Sequence, residues 1–194
     1  MEIQVINDPR TIPQSDMPFH FILSNQSTDL ISWAIDWKTK SNFDHCMQSI
    51  NAGKFITQDF GGYHEVPMDG YLKKGGTLKF IKITNANEIF NIAFRSAILN
   101  RLAQPWYKKT YDYFNIIGRA IGMPWLHLPG TYDCSEISLA IVKPLCSYLN
   151  IVDAGIINGI PNNASPDDID EAVKNNPTVF TVVGEWSADE GIVV

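Results

Sequence analysis

His45-Cys46-Met47-Gln48-Ser49-Ile50 is followed by Asn51-Ala52-Gly53 and then by Lys54-Phe55-Ile56-Thr57-Gln58-Asp59. Two short runs around an N-x-G turn predict a β-hairpin, because the turn supplies a glycine free to take a positive φ. Working outward, Phe19-His20-Phe21-Ile22-Leu23-Ser24 reads as a strand ended by the polar cluster Asn25-Gln26-Ser27-Thr28. Thr77-Leu78-Lys79-Phe80-Ile81-Lys82-Ile83 alternates with a period of two, and Thr178 to Val183 forms a last strand. Gly61-Gly62 breaks the pattern, and the stretch Gly61–Gly76, with five glycines and Pro67, reads as an irregular loop that leaves the hairpin and borders the functional site.

Between the strands the period lengthens. Ile89, Phe90, Ile92, Ala93, Ala97, Ile98 and Leu99 fit one helical face, ended by Pro105. Leu30 to Trp37 and Tyr113 to Ile121 predict two shorter helices. Asp133 is a plausible N-cap with Glu136 three residues on, so a helix opens at Cys134. Ser165-Pro166-Asp167-Asp168 is a second such start, with cap, proline at the first position and acids in the first turn. Hairpin, alternation and helices together predict an α+β fold with one antiparallel sheet packed against helices. No linker or repeat is visible, so residues 1–194 read as a single domain, with a core at about 18–184, an arm at 1–17 and a tail at 185–194.

The composition excludes several classes. At 45% hydrophobic and 19% charged residues, the chain has the apolar content of a folded protein, not of a disordered one. No apolar run has the roughly 18 residues a spanning helix needs. Fifteen Lys and Arg against 21 Asp and Glu give net −6, which argues against a nucleic-acid partner. Met1 to Asp8 lacks a basic region and an apolar region, so no secretory signal is read. The expected location is cytoplasmic, or released or virion-associated by a route that leaves no local mark. Cys46, Cys134 and Cys146 are odd in number and irregularly spaced, which fits neither a disulfide framework nor a structural metal site. No metal and no cofactor is implied.

The chemistry converges on Cys134. A thiol at a helix start faces unpaired N–H groups that favour negative charge, which lowers its pKa and offers an oxyanion hole. A nucleophilic thiol needs a base, and of His20, His45, His64 and His127 the strand residue His45 is the most rigidly placed. Across the hairpin, the acceptor orienting its ring lies among Thr57, Gln58 and Asp59. The bland alternatives are a buried helical cysteine and a strand-end surface histidine.

The order of these parts resembles the circularly permuted branch of the NlpC/P60 papain-like superfamily, of the YiiX/YaeF-like kind, in which the histidine strand precedes the cysteine helix. Ser41-Asn42-Phe43-Asp44-His45 resembles its "s-H-v" strand, although Cys46 replaces the usual hydrophobic residue. Phe55-Ile56-Thr57-Gln58 resembles the next strand, where relatives often carry Glu or another polar residue. Val66 to Leu72, the "Y-D-f"-like Tyr111-Asp112-Tyr113-Phe114, Asp133-Cys134-Ser135-Glu136 and Ser165 to Ile169 follow in order, so the likeness covers about 18–184. It implies a permuted papain-like fold and a cysteine hydrolase. Its substrate is a peptide, an amide or a lipid-like amide or ester, with cell-wall peptides among the candidates. The implied triad is Cys134, His45 and Gln58, supported by Tyr111, Asp112 and Asp133. The competing expectation is a non-catalytic binding or structural module, for example phage-associated, on the same fold.

Overall fold

The computed structural model describes residues 8–25, 42–59, 61–73, 75–110, 112, 132–151 and 153–188. The expected helices at Leu30–Trp37 and Tyr113–Ile121, together with Tyr111 and His127, lie outside the described residues. Among the described residues six strands make one antiparallel sheet: β1 Phe19–Asn25, β2 His45–Ser49, β3 Lys54–Asp59, β4 Gly62–Pro67, β5 Thr77–Ile83 and β6 Phe180–Ser187. Their order across the sheet is β4-β3-β2-β1-β5-β6. The described helices are α1 Met68–Leu72, α2 Glu88–Leu102, α3 Cys134–Tyr148, α4 Ala154–Gly159 and α5 Pro166–Asn175. The α+β class and the antiparallel sheet are as the sequence predicts.

Strand β1 is central and buried on both faces, which explains its nearly continuous apolar run Phe19-His20-Phe21-Ile22-Leu23. Alternation then divides the core in two. Leu23, Cys46, Ile56 and Tyr63 face the helices, meeting Phe90, Phe94 and Ile98 of α2 and Ile137 and Val142 of α3. Ile22, Met47, Phe55 and Phe80 face the other way, meeting Met17 of the arm, Met68 of α1 and Trp186. The buried Lys79, which pairs with Leu23 in the register, bonds Asp170 of α5 at 2.8 Å and Glu185 of β6 at 3.1 Å, fastening α5 to the sheet.

One local reading changes, and two short elements join those the sequence predicts. Gly61–Gly76 is not an irregular loop: it folds into β4 and α1, because Gly62 adopts φ +82° and turns the chain back along β3. The described part of the arm holds two single 3-10 turns, Pro9–Thr11 and Gln14–Asp16. Helix α4 has a glycine at its second and last positions and only six residues, too little for a helical period to show.

Candidate active site

Helix α3 begins where the sequence places it. The Asp133 carboxylate accepts the Glu136 N–H at 2.8 Å, and the Glu136 carboxylate accepts the Asp133 N–H at 3.0 Å, a reciprocal capping box. The Ser135 hydroxyl lies 2.5 Å from the Ala164 carbonyl and so ties the helix start to the loop before α5. Cys134 is therefore fixed at the first helical position, 4% exposed, among residues of the helical face of the sheet.

Its thiol is not the low-pKa group that the helix start alone suggests. Burial, followed by Asp133, Cys46 and Asp44, pushes it well above the usual thiol range, while the Cys46 backbone works against this by less. The first-turn N–H groups are outweighed because the sulfur has left water and two carboxylates stand near it. The resting sulfur is a neutral thiol. Cys46, whose thiol is 3.6 Å from the Ser138 hydroxyl, is pushed up to about 12, and Cys146 to about 11, both by burial.

His45 is the first residue of β2, and its ring sits on the face opposite α2 and α3. Its Nε2 is hydrogen-bonded to the Thr57 hydroxyl at 2.6 Å, and the ring stacks on Tyr71 of α1 at 6.4 Å and 17°. Register explains the partner. Gln48 pairs with Ile56, so a period of two puts Thr57 and Asp59 on the His45 face, and Gln58 on the face of Cys46. The expectation that Gln58 orients His45 is thus corrected: Thr57 occupies that place.

Gln58 has other partners. Buried on the helical face, its amide donates to the carbonyls of Lys109 and Thr110 at 2.9 and 3.0 Å. The Lys109 carbonyl also accepts the Tyr63 N–H at 3.2 Å, an approach that a Cβ on Gly62 would block at 2.7 Å. The buried Asp112 follows, its N–H donated to the Tyr132 carbonyl at 3.2 Å. Gln58 therefore holds the Lys109–Thr110 backbone, and the nearby Asp112 meets Tyr132 two residues before Cys134.

No hydrogen bond joins the Cys134 sulfur to the His45 ring; the two stand at the same end of β2, on either side of the sheet. They share a neighbourhood nonetheless. Tyr71, stacked on His45, has its phenol raised mainly by burial, and among the smaller causes are Asp44, which also acts on Cys134, and Cys134 itself. Between β2 and β3 the register holds one bridge, Gln48 to Ile56, so the strands are not bridged at the His45 end. Tyr71 is the site residue that sequence reading missed, hidden in a segment read as loop.

Among the other histidines, His20 is structural: its Nδ1 accepts the Ile83 N–H at 2.9 Å, and Nε2 faces Asn91 Oδ1 at 3.1 Å. His64 Nδ1 contacts the Gly62 carbonyl at 2.8 Å. Among the described residues no cluster of His, Cys, Asp and Glu could hold a metal ion, and no helix is long and apolar enough to cross a membrane. The chain matches no protein-family model, and no curated protein matches its sequence.

Proposed function

We propose that this protein is a papain-like cysteine hydrolase, of the permuted NlpC/P60 order, that cleaves an amide or peptide bond. The observation that carries the reading is a thiol at the first position of a reciprocally capped helix, beside the strand end that holds a histidine fixed by a hydroxyl. Thr57 takes the place of the third residue, with Nε2 as its contact, so Nδ1 is the nitrogen assigned to the thiol. Cys134 attacks the carbonyl carbon as its proton passes to His45, forming a C–S bond. Backbone N–H groups of the first turn of α3 stabilise the oxyanion. The tetrahedral species collapses with transfer of that proton to the leaving amine, and water then cleaves the thioester to a carboxylic acid, restoring the thiol. Because no hydrogen bond joins the thiol to the ring in the resting structure, the reading requires substrate binding to bring the ring and the sulfur to one side of the sheet, a rearrangement at the unbridged end of β2 and β3.

A second reading has its own observation. A buried thiol held protonated, without a hydrogen bond to the histidine, suits a binding or structural module that keeps the fold without the chemistry. Iodoacetamide labelling across pH 5–9, read by mass spectrometry at each cysteine, separates the two. A hydrolase labels Cys134 well ahead of Cys46 and Cys146 at pH 7, and His45→Ala removes that preference about tenfold or more. Equal labelling of all three, climbing about tenfold per pH unit and indifferent to His45→Ala, refutes the catalytic reading.

A further inference from the structure

A groove of about 320 Å³ runs between α2 and α3. Asn100 and Arg101 of α2 and Gln104 just after it line one side, with Tyr132, Ile137 and Ala140 on the other. Arg101 lies over the Tyr132 ring, 5.2 Å from its centre. Its Nε and Nη2 are buried and have no hydrogen-bond partner. Buried polar groups in folded proteins are nearly always paired, and an unpaired charged donor is the costliest exception. Nε and Nη2 form the guanidinium edge that grips both oxygens of a carboxylate side-on.

We propose that this groove binds an organic carboxylate with an apolar body, its charge on Arg101 and its hydrocarbon along Ile137 and Ala140. Turning the guanidinium on the Tyr132 ring brings the unpaired edge to the groove. The surroundings favour an anion: α2 carries Arg95 and Arg101 against the single acid Glu88, which is three turns away from Arg101 at the helix start. Glu136, in the neighbouring hollow, is already committed to the capping box. The apolar wall is what separates this ligand from a bare inorganic anion, which would leave Ile137 and Ala140 uncovered. Nothing in this site depends on the reactivity of Cys134.

Calorimetric titration of the full chain with sodium octanoate tests the site. Saturable binding is expected, weakened roughly ten- to hundredfold by Arg101→Gln, which removes the charged hydrogen bonds. Octanol and inorganic phosphate, each lacking one half of the ligand, should bind at least about tenfold more weakly. Ala140→Trp, at an exposed position, fills the groove and leaves Arg101 in place; it should abolish binding with the circular dichroism spectrum unchanged, and it keeps the test open if Arg101→Gln fails to fold. Absence of saturable octanoate binding, equal binding of octanol or phosphate, or full octanoate affinity in a folded Arg101→Gln or Ala140→Trp overturns the proposal.

Discussion

Acidification should loosen this fold through His20, and the size of the effect follows from its surroundings. The ring is 1% exposed, packed edge-on against Phe90 and Phe94 of α2, and accepts the Ile83 N–H on Nδ1. Burial lowers its pKa from 6.5 to about 4, against a smaller opposing effect of the Asn91 hydrogen bond. The folded state therefore binds fewer protons than the unfolded state between these values, so stability rises with pH in that window. The contribution is complete above the unfolded value of 6.5 and drains as pH falls towards 4. The loss reaches about 2 kcal/mol by pH 5 and about 3 kcal/mol once both states are protonated. Urea unfolding of wild type and His20→Gln at pH 7 and pH 5 measures it, since other groups titrate alike in both proteins. The wild type should lose about 2 kcal/mol more than the variant between the two conditions. Equal losses would show that His20 is not held neutral by the fold. The result also bears on the site, because an acid limb in any activity profile has to be divided between this structural histidine and His45.

Two further outcomes are expected. Gln58→Glu should destabilise the protein by about 2–4 kcal/mol in chemical denaturation, because a buried carboxylate would replace an amide donor between the Lys109 and Thr110 carbonyls; restored or raised activity would return Gln58 to the His45 side. Asp170→Asn should cost about 3–5 kcal/mol and Lys79→Met clearly less: the first weakens the main partner of a buried ammonium, whereas after the second Asp170 still has Lys174 at 2.6 Å; equal losses would refute this asymmetry.

The secondary structure was legible where local chemistry decides it. The N-x-G turn, the period-two run at Thr77–Ile83 and the two capping boxes at Asp133 and Ser165 are all local signals, and each element stands within a few residues of its reading. β4 and α1 escaped because their pairing is set by β3 and by one close approach at Gly62, neither of which leaves a periodic mark. The site was legible in its residues and less so in its contacts. Cys134 at a capped start and His45 at a strand start could be read, but the state of the thiol could not: a helix terminus lowers a thiol pKa, whereas burial beside Asp133 and Asp44 raises it well above the usual range. The orienting group was lost to parity. One bridge, Gln48 to Ile56, decides between Thr57 and Gln58, and register is a tertiary fact that turn length alone left ambiguous.

That parity divides the labour of adjacent residues on β3. Thr57, on one face, touches the imidazole; Gln58, on the other, touches only backbone. Two donors, the Gln58 amide and the Tyr63 N–H, converge on the Lys109 carbonyl, and the chain continues to Asp112, whose N–H meets Tyr132 two residues before the thiol. A change at Thr57 thus acts on the ring and its proton, whereas a change at Gln58 acts on the backbone path to Cys134. The first should move a pH profile while leaving the fold alone, and the second should move stability and the placement of the sulfur together. The third residue of a papain-like triad is usually sought by its carboxylate or amide. Here strand register places a hydroxyl, that of Thr57, against the imidazole, where it holds the ring but supplies no charge to favour its protonated form.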